Sequence, residues 1–199
     1  MKKTILNSPE IARIITRLSH EILEKNKGSK DIALVGIRTG GVFLANRIFQ
    51  KIKEIDFVSV PIGELDITLY RDDIGLKKAV PTMQKTSISF ELTGLHVVLV
   101  DDVLFTGRTI RAAMDELIDF GRPKQIQLAV LIDRGHRELP IRADFVGKNL
   151  PTAHNENVEV QWKETGDDDQ VCVFVRADPW VRPDKEGAHA GAPLQKENK

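Results

Sequence analysis

Apolar residues recur at helical spacing through Ile11, Ile14, Ile15, Leu18 and Ile22, between a helix-start signal at Ser8-Pro9-Glu10 and a natural stop at Gly28. The pattern predicts an amphipathic helix whose other face carries Arg13, Thr16, Arg17, His20 and Lys25. A short apolar run, Ile32–Val35, leads into Gly36-Ile37-Arg38-Thr39-Gly40-Gly41, and helical periodicity resumes over Val42–Ile52. That order reads as strand, glycine-rich loop, helix. Phe57–Pro61 and the alternating Leu65–Tyr70 predict two further strands, followed by a polar, mobile loop over Arg71–Ser87. His96–Val100 is almost continuously apolar, as in a strand buried on both faces, and it ends at Asp101-Asp102. Thr109–Phe120 is helical in spacing, closed by Gly121 with Pro123 beyond, and Ile126–Ile132 is another buried strand. Alternating strands and helices predict an α/β fold with a doubly wound, mainly parallel sheet. Val158–Trp162 and Val171–Arg176 alternate around the acidic turn Thr165–Asp169, which predicts a C-terminal hairpin. From Asp178 onward there is too little apolar material to fold alone, so residues 1–177 are expected to form one domain and 178–199 a disordered tail.

Composition narrows the picture. A chain of 199 residues, 41% of them hydrophobic, is long enough to bury one substantial core. Its 29 basic residues balance 29 acidic ones, so any polyanion must be bound by a local patch rather than a global field. One cysteine, Cys172, cannot form an internal disulfide and alternates with Val171 and Val173 as a buried small residue would; a reducing, cytoplasmic compartment is expected. No window approaches the roughly 18 apolar residues of a membrane span, and the two N-terminal lysines precede no apolar run, so neither anchoring nor export is expected. Trp162 and Trp180 could stack on bases but read better as packing, and His96, His154 and His189 have no evident partner.

The chemistry concentrates in Asp101-Asp102-Val103-Leu104-Phe105-Thr106-Gly107-Arg108-Thr109, where a buried strand gives way to a helix. In open α/β sheets ligands bind beyond the carboxyl ends of strands. Thr106, Gly107 and Thr109 offer hydroxyls and approachable backbone N–H groups at a helix N-terminus, a setting that favours phosphate. The same phosphate would repel two adjacent carboxylates, so Asp101 and Asp102 are better explained as acceptors for the vicinal hydroxyls of a sugar, or as indirect partners of a hydrated Mg²⁺. A phosphate cradle beside a diol clamp describes a ribose 5-phosphate site. The bland alternative is an Asp-Asp pair that ends a strand and caps the next helix.

The run Val97-Val98-Leu99-Val100-Asp101-Asp102-Val103-Leu104-Phe105-Thr106-Gly107-Arg108-Thr109 resembles the phosphoribosyl pyrophosphate signature of type I phosphoribosyltransferases. Further strings, Thr16–Glu21, Asp66–Asp73, Gly121-Arg122-Pro123 and Asp133–Asp144, are similar to the bifunctional pyrimidine operon attenuator/uracil phosphoribosyltransferases of that family, over nearly the whole chain to about Val175. The resemblance implies transfer of a phosphoribosyl group to uracil, giving UMP and pyrophosphate, with Mg²⁺ as cofactor. It implies that Val98–Thr109, with Arg38 and Thr39, bind phosphoribosyl pyrophosphate. Within that set Asp101 and Asp102 hold the ribose hydroxyls and touch the metal through water or substrate. It also implies that Arg71 reaches the pyrophosphate when its loop closes, and that Asp133, Arg134 and Gly135 line the uracil pocket. Asp133 could take the ring proton or could only order its own turn. The loop departs from the family pattern at Gly40, where other members carry Arg; a Gly-Gly pair lets backbone approach a diphosphate but drops one charge.

The resemblance implies a second activity, the uridine-nucleotide-dependent binding of leader mRNA of the pyrimidine operon, which promotes termination. Matching positions are Thr16, Arg17, His20, Arg137, Arg142 and Lys148, with Lys25 where an Arg can occur. Positions three and four apart on a helix are neighbours, so Thr16, Arg17 and His20 share one face, although a solvated polar face would look the same. A homodimer, or a dimer of dimers, is the expected assembly. Two rivals remain: an RNA-binding nucleotide sensor whose transferase chemistry is vestigial, and an enzyme for another base such as hypoxanthine or orotate.

Overall fold

The computed structural model describes residues 2–67, 86–166 and 168–175. Strand β1 (Lys2–Leu6) precedes helix α1 (Ser8–Asn26), then come β2 (Ile32–Ile37), α2 (Gly40–Asp56), β3 (Ile62–Leu65), β4 (His96–Leu104), α3 (Arg108–Asp119), β5 (Gln125–Asp133), β6 (Phe145–Asn149), β7 (Glu156–Gln161) and β8 (Gln170–Val175). Five strands form a parallel sheet in the order β3-β2-β4-β5-β6, and β1-β8-β7 form a separate antiparallel sheet. The doubly wound α/β expectation holds.

Local chemistry explains the element boundaries. Helix α1 starts with a reciprocal capping box: Asn7 Oδ1 accepts from the Glu10 amide at 3.1 Å, and Glu10 Oε2 accepts from the Asn7 amide at 2.9 Å. Residues of β4 alternate between two cores. Val98 and Val100 join Ile11, Leu18 and Ile48 beneath α1 and α2, while Val97 and Leu99 join Ile110, Ala113 and Leu117 of α3 on the other face. Both faces are covered, so β4 reads as continuous apolar sequence until Asp101.

Four readings of the chain are revised or fall elsewhere. Phe57–Pro61 is no strand, because Phe57 turns into the left-handed region at φ 55° to close α2 and leaves its ring 88% exposed; the strand is Ile62–Leu65. Asp101 and Asp102 lie inside β4 rather than after it. Strands β1 and β6 carry no clear alternation and were not anticipated, since each is short and half polar. Tyr70, the loop containing Arg71, Trp180, His189 and the 178–199 tail lie outside the described residues. Trp162 is buried at 2% exposure and Cys172 at 1%, as packing residues.

Two contacts hold the site's scaffold. The first turn of α2 meets β4 backbone to backbone: a Cβ on Gly41 would lie 2.3 Å from the Val100 carbonyl oxygen and 3.0 Å from Asp101 Cα. Arg47, two turns along α2, grips the C-terminal hairpin. Its guanidinium donates to Glu164 at 2.6 and 2.9 Å and to Asp169 at 2.7 Å, and lies 4.7 Å from the Trp162 ring centroid. Arg47 draws the Glu164 and Asp169 carboxyls below their ordinary values, chiefly by these hydrogen bonds.

Gly41→Ala should therefore lower stability by about 2–4 kcal/mol in urea unfolding, because backbone rather than a flexible side chain must yield. Arg47→Met should lose about 2–4 kcal/mol at neutral pH. A depressed carboxyl pKa stabilises the fold above the unfolded value and is lost as pH falls through the folded one. The wild type should thus lose this contribution as pH drops below the ordinary values of 3.8 and 4.5, and Arg47→Met should show a shallower acid limb there.

Candidate functional site

The carboxyl ends of four parallel strands open into one crevice. Register sets the level at which each loop leaves: Gly36 pairs with Val100, Leu104 with Asp133, and Asp133 with Asn149. The Arg38-Thr39 loop, the Asp101-Asp102 pair, the Phe105–Gly107 turn and the Asp133–Gly135 turn are therefore neighbours along one sheet edge.

Asp101 is buried at 7% exposure, and its Oδ1 accepts the Asp102 amide at 2.9 Å. The Asp102 carboxyl turns toward the start of α2, and burial raises its pKa above the ordinary carboxylate value, opposed by the Val103 and Asp102 amides. Val98, Leu99 and Val100 are fully buried strand residues that position this pair rather than offer contacts, and Leu104 is equally buried. Val103 is half-buried and packs on the core beneath α1 and α2.

The next turn is built for an anion. Gly107 takes φ +92° as the N-cap of α3, where no side chain caps the helix and no acidic residue occupies the first turn. Thr106 and Thr109 flank it, half-buried, while the exposed Arg108 pairs with Glu138 at 2.6 Å. On the opposite wall Arg38 forms an ion pair with Glu64, and Thr39 is exposed at the N-terminus of α2, which also lacks a side-chain cap and first-turn acid.

The Asp133–Gly135 turn borders a cavity of about 320 Å³ that also involves His136, Asn149 and Thr152. Asp133 Oδ1 accepts the Gly135 amide at 3.0 Å and Oδ2 accepts Arg137, bonds by which this carboxylate orders its own turn. Arg134 is buried; it donates to Thr152 Oγ1 and the Glu156 carbonyl and lies 4.0 Å from the Phe105 ring centroid, with burial lowering its pKa. His136 Nε2 lies 2.6 Å from the Thr152 carbonyl, which can only accept, so that nitrogen carries the proton. The His136 and His154 rings sit 4.1 Å apart. His136, Asn149 and Thr152 line this cavity although no spacing in the chain announced them, and the rings of Phe105 and His154 flank His136.

The expected RNA residues divide. Arg17 on α1 donates to the Val146 and Gly147 carbonyls of β6, immediately before Lys148, so α1 and the edge strand share one face; His20, Arg142 and Lys148 are exposed. Thr16 is half-buried and returns its hydroxyl to the Ala12 carbonyl. Arg137 does not join that face: it donates inward to the carbonyls of Ile141, Phe105 and Gly135 and to Asp133. Its guanidinium is engaged with the Asp133–Gly135 turn and the Phe105 carbonyl. Arg71 lies outside the described residues.

Comparison with known proteins agrees with this geometry. Residues 1–165 match the phosphoribosyl transferase domain family. The chain is 57% identical to the bifunctional protein PyrR of Deinococcus radiodurans, covering 87% of this chain and 94% of that one. It is also 57% identical to the PyrR of Oceanobacillus iheyensis, over 87% and 98% of the two chains. Among solved structures, hypoxanthine phosphoribosyltransferase of Trypanosoma cruzi superimposes with a TM-score of 0.65 at 20% identity, over 88% of this chain and 97% of that one. A hypoxanthine-guanine phosphoribosyltransferase of Bacillus anthracis gives 0.61 at 20% identity, over 75% and 84%. These two structures speak for the fold, and the close relatives for the family. With a phosphate-ready helix terminus beside a carboxylate pair on such a sheet, the chain belongs to the phosphoribosyl transferase domain family, among the bifunctional PyrR proteins.

Proposed function

We propose that this protein transfers the phosphoribosyl group of phosphoribosyl pyrophosphate to uracil, and that it binds leader mRNA of the pyrimidine operon in response to uridine nucleotide such as UMP. One observation carries the first part: Asp101 and Asp102 stand between two uncapped helix N-termini, those of α2 and α3. A ligand that fits must carry anionic groups at both ends and hydroxyls in the middle, which is the layout of phosphoribosyl pyrophosphate.

In the reaction the bond from the anomeric carbon to pyrophosphate breaks as the uracil ring nitrogen forms its own bond there and gives up its proton. Positive charge gathers on the sugar ring, and the protein's work is positioning and charge stabilisation. Thr106–Thr109 hold the 5-phosphate through backbone amides and hydroxyls. Asp101 and Asp102 accept from the ribose hydroxyls, and their negative charge faces the developing positive one. The amides of the Arg38–Gly41 turn take the pyrophosphate, and Arg71 would add charge there. Asp133–Gly135 presents backbone groups to the base edge.

The donor set suits Mg²⁺. Among the described residues no cluster of three or more His, Cys, Asp or Glu side chains could cage a metal, while two adjacent carboxylates remain to meet a hydrated ion that takes its other ligands from substrate. When bound, the ion neutralises charge on the leaving diphosphate.

His20, Arg17, Arg142 and Lys148, with Thr16 beside them, supply the RNA face, and Arg137 shapes that region only through its turn. We infer a dimer or dimer of dimers, since few cations per chain gain from a second copy. No described helix is long and apolar enough to cross a membrane, and a cytoplasmic setting goes with the single cysteine and the transcript partner. The sensor reading draws on the Arg38–Glu64 pair, which leaves less net charge for pyrophosphate.

UMP formation from uracil, phosphoribosyl pyrophosphate and Mg²⁺, run beside filter binding of a leader hairpin with and without UMP, tests both parts. Turnover with UMP-tightened RNA binding is expected; RNA binding without turnover would leave the sensor. Replacing Asp101 and Asp102 together by Asn should lower turnover by at least about a hundredfold. His20→Ala should spare turnover and weaken RNA binding by about 1 kcal/mol. Equal loss of both activities in His20→Ala would refute a separate RNA face.

A further inference from the structure

Trp162 follows β7 directly and is buried in the core that also takes Val98 and Val100 of β4 and Ile48 of α2. An indole is not only a packing group, because one edge of the ring carries a donor, and a buried donor needs an acceptor. Among the described residues the Asp102 carboxyl is the acceptor that this N–H faces, and no other is placed to take it. Burial pushes the Asp102 carboxyl above its ordinary value. The Val103 and Asp102 amides, Asp101 and the Trp162 indole act against that shift, each favouring the charged form.

The other contacts of Trp162 hold the ring in place. Its backbone is extended, at φ −122° and ψ 139°, and its carbonyl accepts from the Thr165 amide at 2.9 Å and the Thr165 hydroxyl at 2.7 Å. The Arg47 guanidinium lies 4.7 Å from the ring centroid while it donates to Glu164 and Asp169, and Asp169 in turn accepts the Lys163 amide at 2.8 Å. Backbone and ring face are thus both tied, and the N–H edge is left directed at β4.

The structure assigns Trp162 a positioning role: its indole N–H holds the Asp102 carboxylate in place for the ribose hydroxyls, so the C-terminal hairpin serves the site as well as covering the core. This rests on reading Asp102 as a diol-binding carboxylate. Strand geometry fixes the Asp102 backbone but leaves the carboxyl free to turn about two side-chain bonds. The Val103 amide comes from the same strand, whereas the indole comes from a separate element of the fold. Donors from two elements set the plane of the carboxyl and leave its remaining lone pairs to the sugar. The Arg47 cluster then acts on the site at one remove, by keeping the indole where Asp102 needs it.

The contact is read first on the native side chain. Trp162 and Trp180 are the two tryptophans of the chain, so isotope-labelled full-length protein carrying Trp180→Phe shows a single indole N–H resonance. Adding Asp102→Asn should shift that resonance upfield, because a charged acceptor is exchanged for a weaker one; an unmoved resonance overturns the proposal. Binding then tests the role. Trp162→Phe keeps a ring face for Arg47 and removes the donor. In calorimetry it should weaken ribose 5-phosphate about tenfold and inorganic phosphate less than about twofold. In an Asp102→Asn background it should weaken ribose 5-phosphate less than about twofold. In steady state it should raise KM for phosphoribosyl pyrophosphate and leave KM for uracil unchanged. No loss for ribose 5-phosphate, an equal loss for both ligands, or the same loss in both backgrounds would make Trp162 a packing residue alone and refute the role. If Trp162→Phe does not fold, the indole resonance of the native side chain still decides. Failure of the wild type to bind phosphoribosyl pyrophosphate would instead sink the reading of the site itself, whatever the indole does.

Discussion

The first turn of α2 lies on the carboxyl end of β4 with no side chain between them, and most of the site follows from that approach. Gly41 meets the Val100 carbonyl, and Gly36, on the strand before, would strike the Val42 backbone at 2.7 Å if it carried a Cβ. Interposing even a methyl group would lift the helix and part the Arg38–Gly41 turn from the Asp101-Asp102 pair. Because α2 is a rigid rod, the same displacement would reach Arg47 and, through Glu164 and Asp169, the hairpin of β7 and β8. A local packing rule at two or three glycines thus fixes distances across the whole domain.

The other half of the crevice is held by hydrogen bonds rather than by close packing. Thr106, in the phosphate turn, gives its carbonyl to the amides of Glu138 and Leu139, Leu104 gives its own to Arg134, and Arg137 reaches the Phe105 carbonyl. The base turn is therefore sewn to the phosphate turn at four points, with the Arg134 cation lying against Phe105 as well. On the proposed reading, in which alignment lowers most of the barrier, fixing the Asp133–Gly135 turn relative to the Thr106–Thr109 turn is itself a catalytic contribution. Arginine suits the task, since one guanidinium fork satisfies several carbonyls at once.

Much of this was legible in the chain. Apolar runs bounded by Gly and Asp gave β2, β4 and β5, and the capping signal at Ser8-Pro9-Glu10 placed α1 within a residue of its true cap, Asn7. The Thr106–Thr109 turn was legible because its Thr and Gly residues mark a strand-to-helix turn whose backbone geometry spacing reveals. The contacts that connect distant segments were not. Nothing in the neighbours of Arg47 foretells Asp169, 122 positions away, and nothing near Arg134 foretells Phe105. Phe57–Pro61 misled for a related reason: its β-prone residues are used to turn the chain out of α2, a tertiary demand that propensity does not record.

The fate of individual cations bears on how two activities could share so small a chain. Charges counted from sequence as available to RNA are partly committed within the fold: Arg17 to Glu21 and the β6 carbonyls, Lys25 to Asp144, Arg137 to the base turn. What stays displayed along α1 and β6 is modest, chiefly His20, Arg142 and Lys148. Salt-dependent affinity scales with the number of phosphates neutralised, so a face with so few cations binds RNA weakly when alone. On the proposed reading, affinity must come from two such faces acting together, and a ligand that alters how the copies are set can alter RNA binding without touching it. Arg137 offers a physical route for that influence. It ties the base turn to the phosphate turn, and the segment it anchors runs through Arg142 into β6, so a nucleotide that settles those turns also settles the strand that presents Lys148.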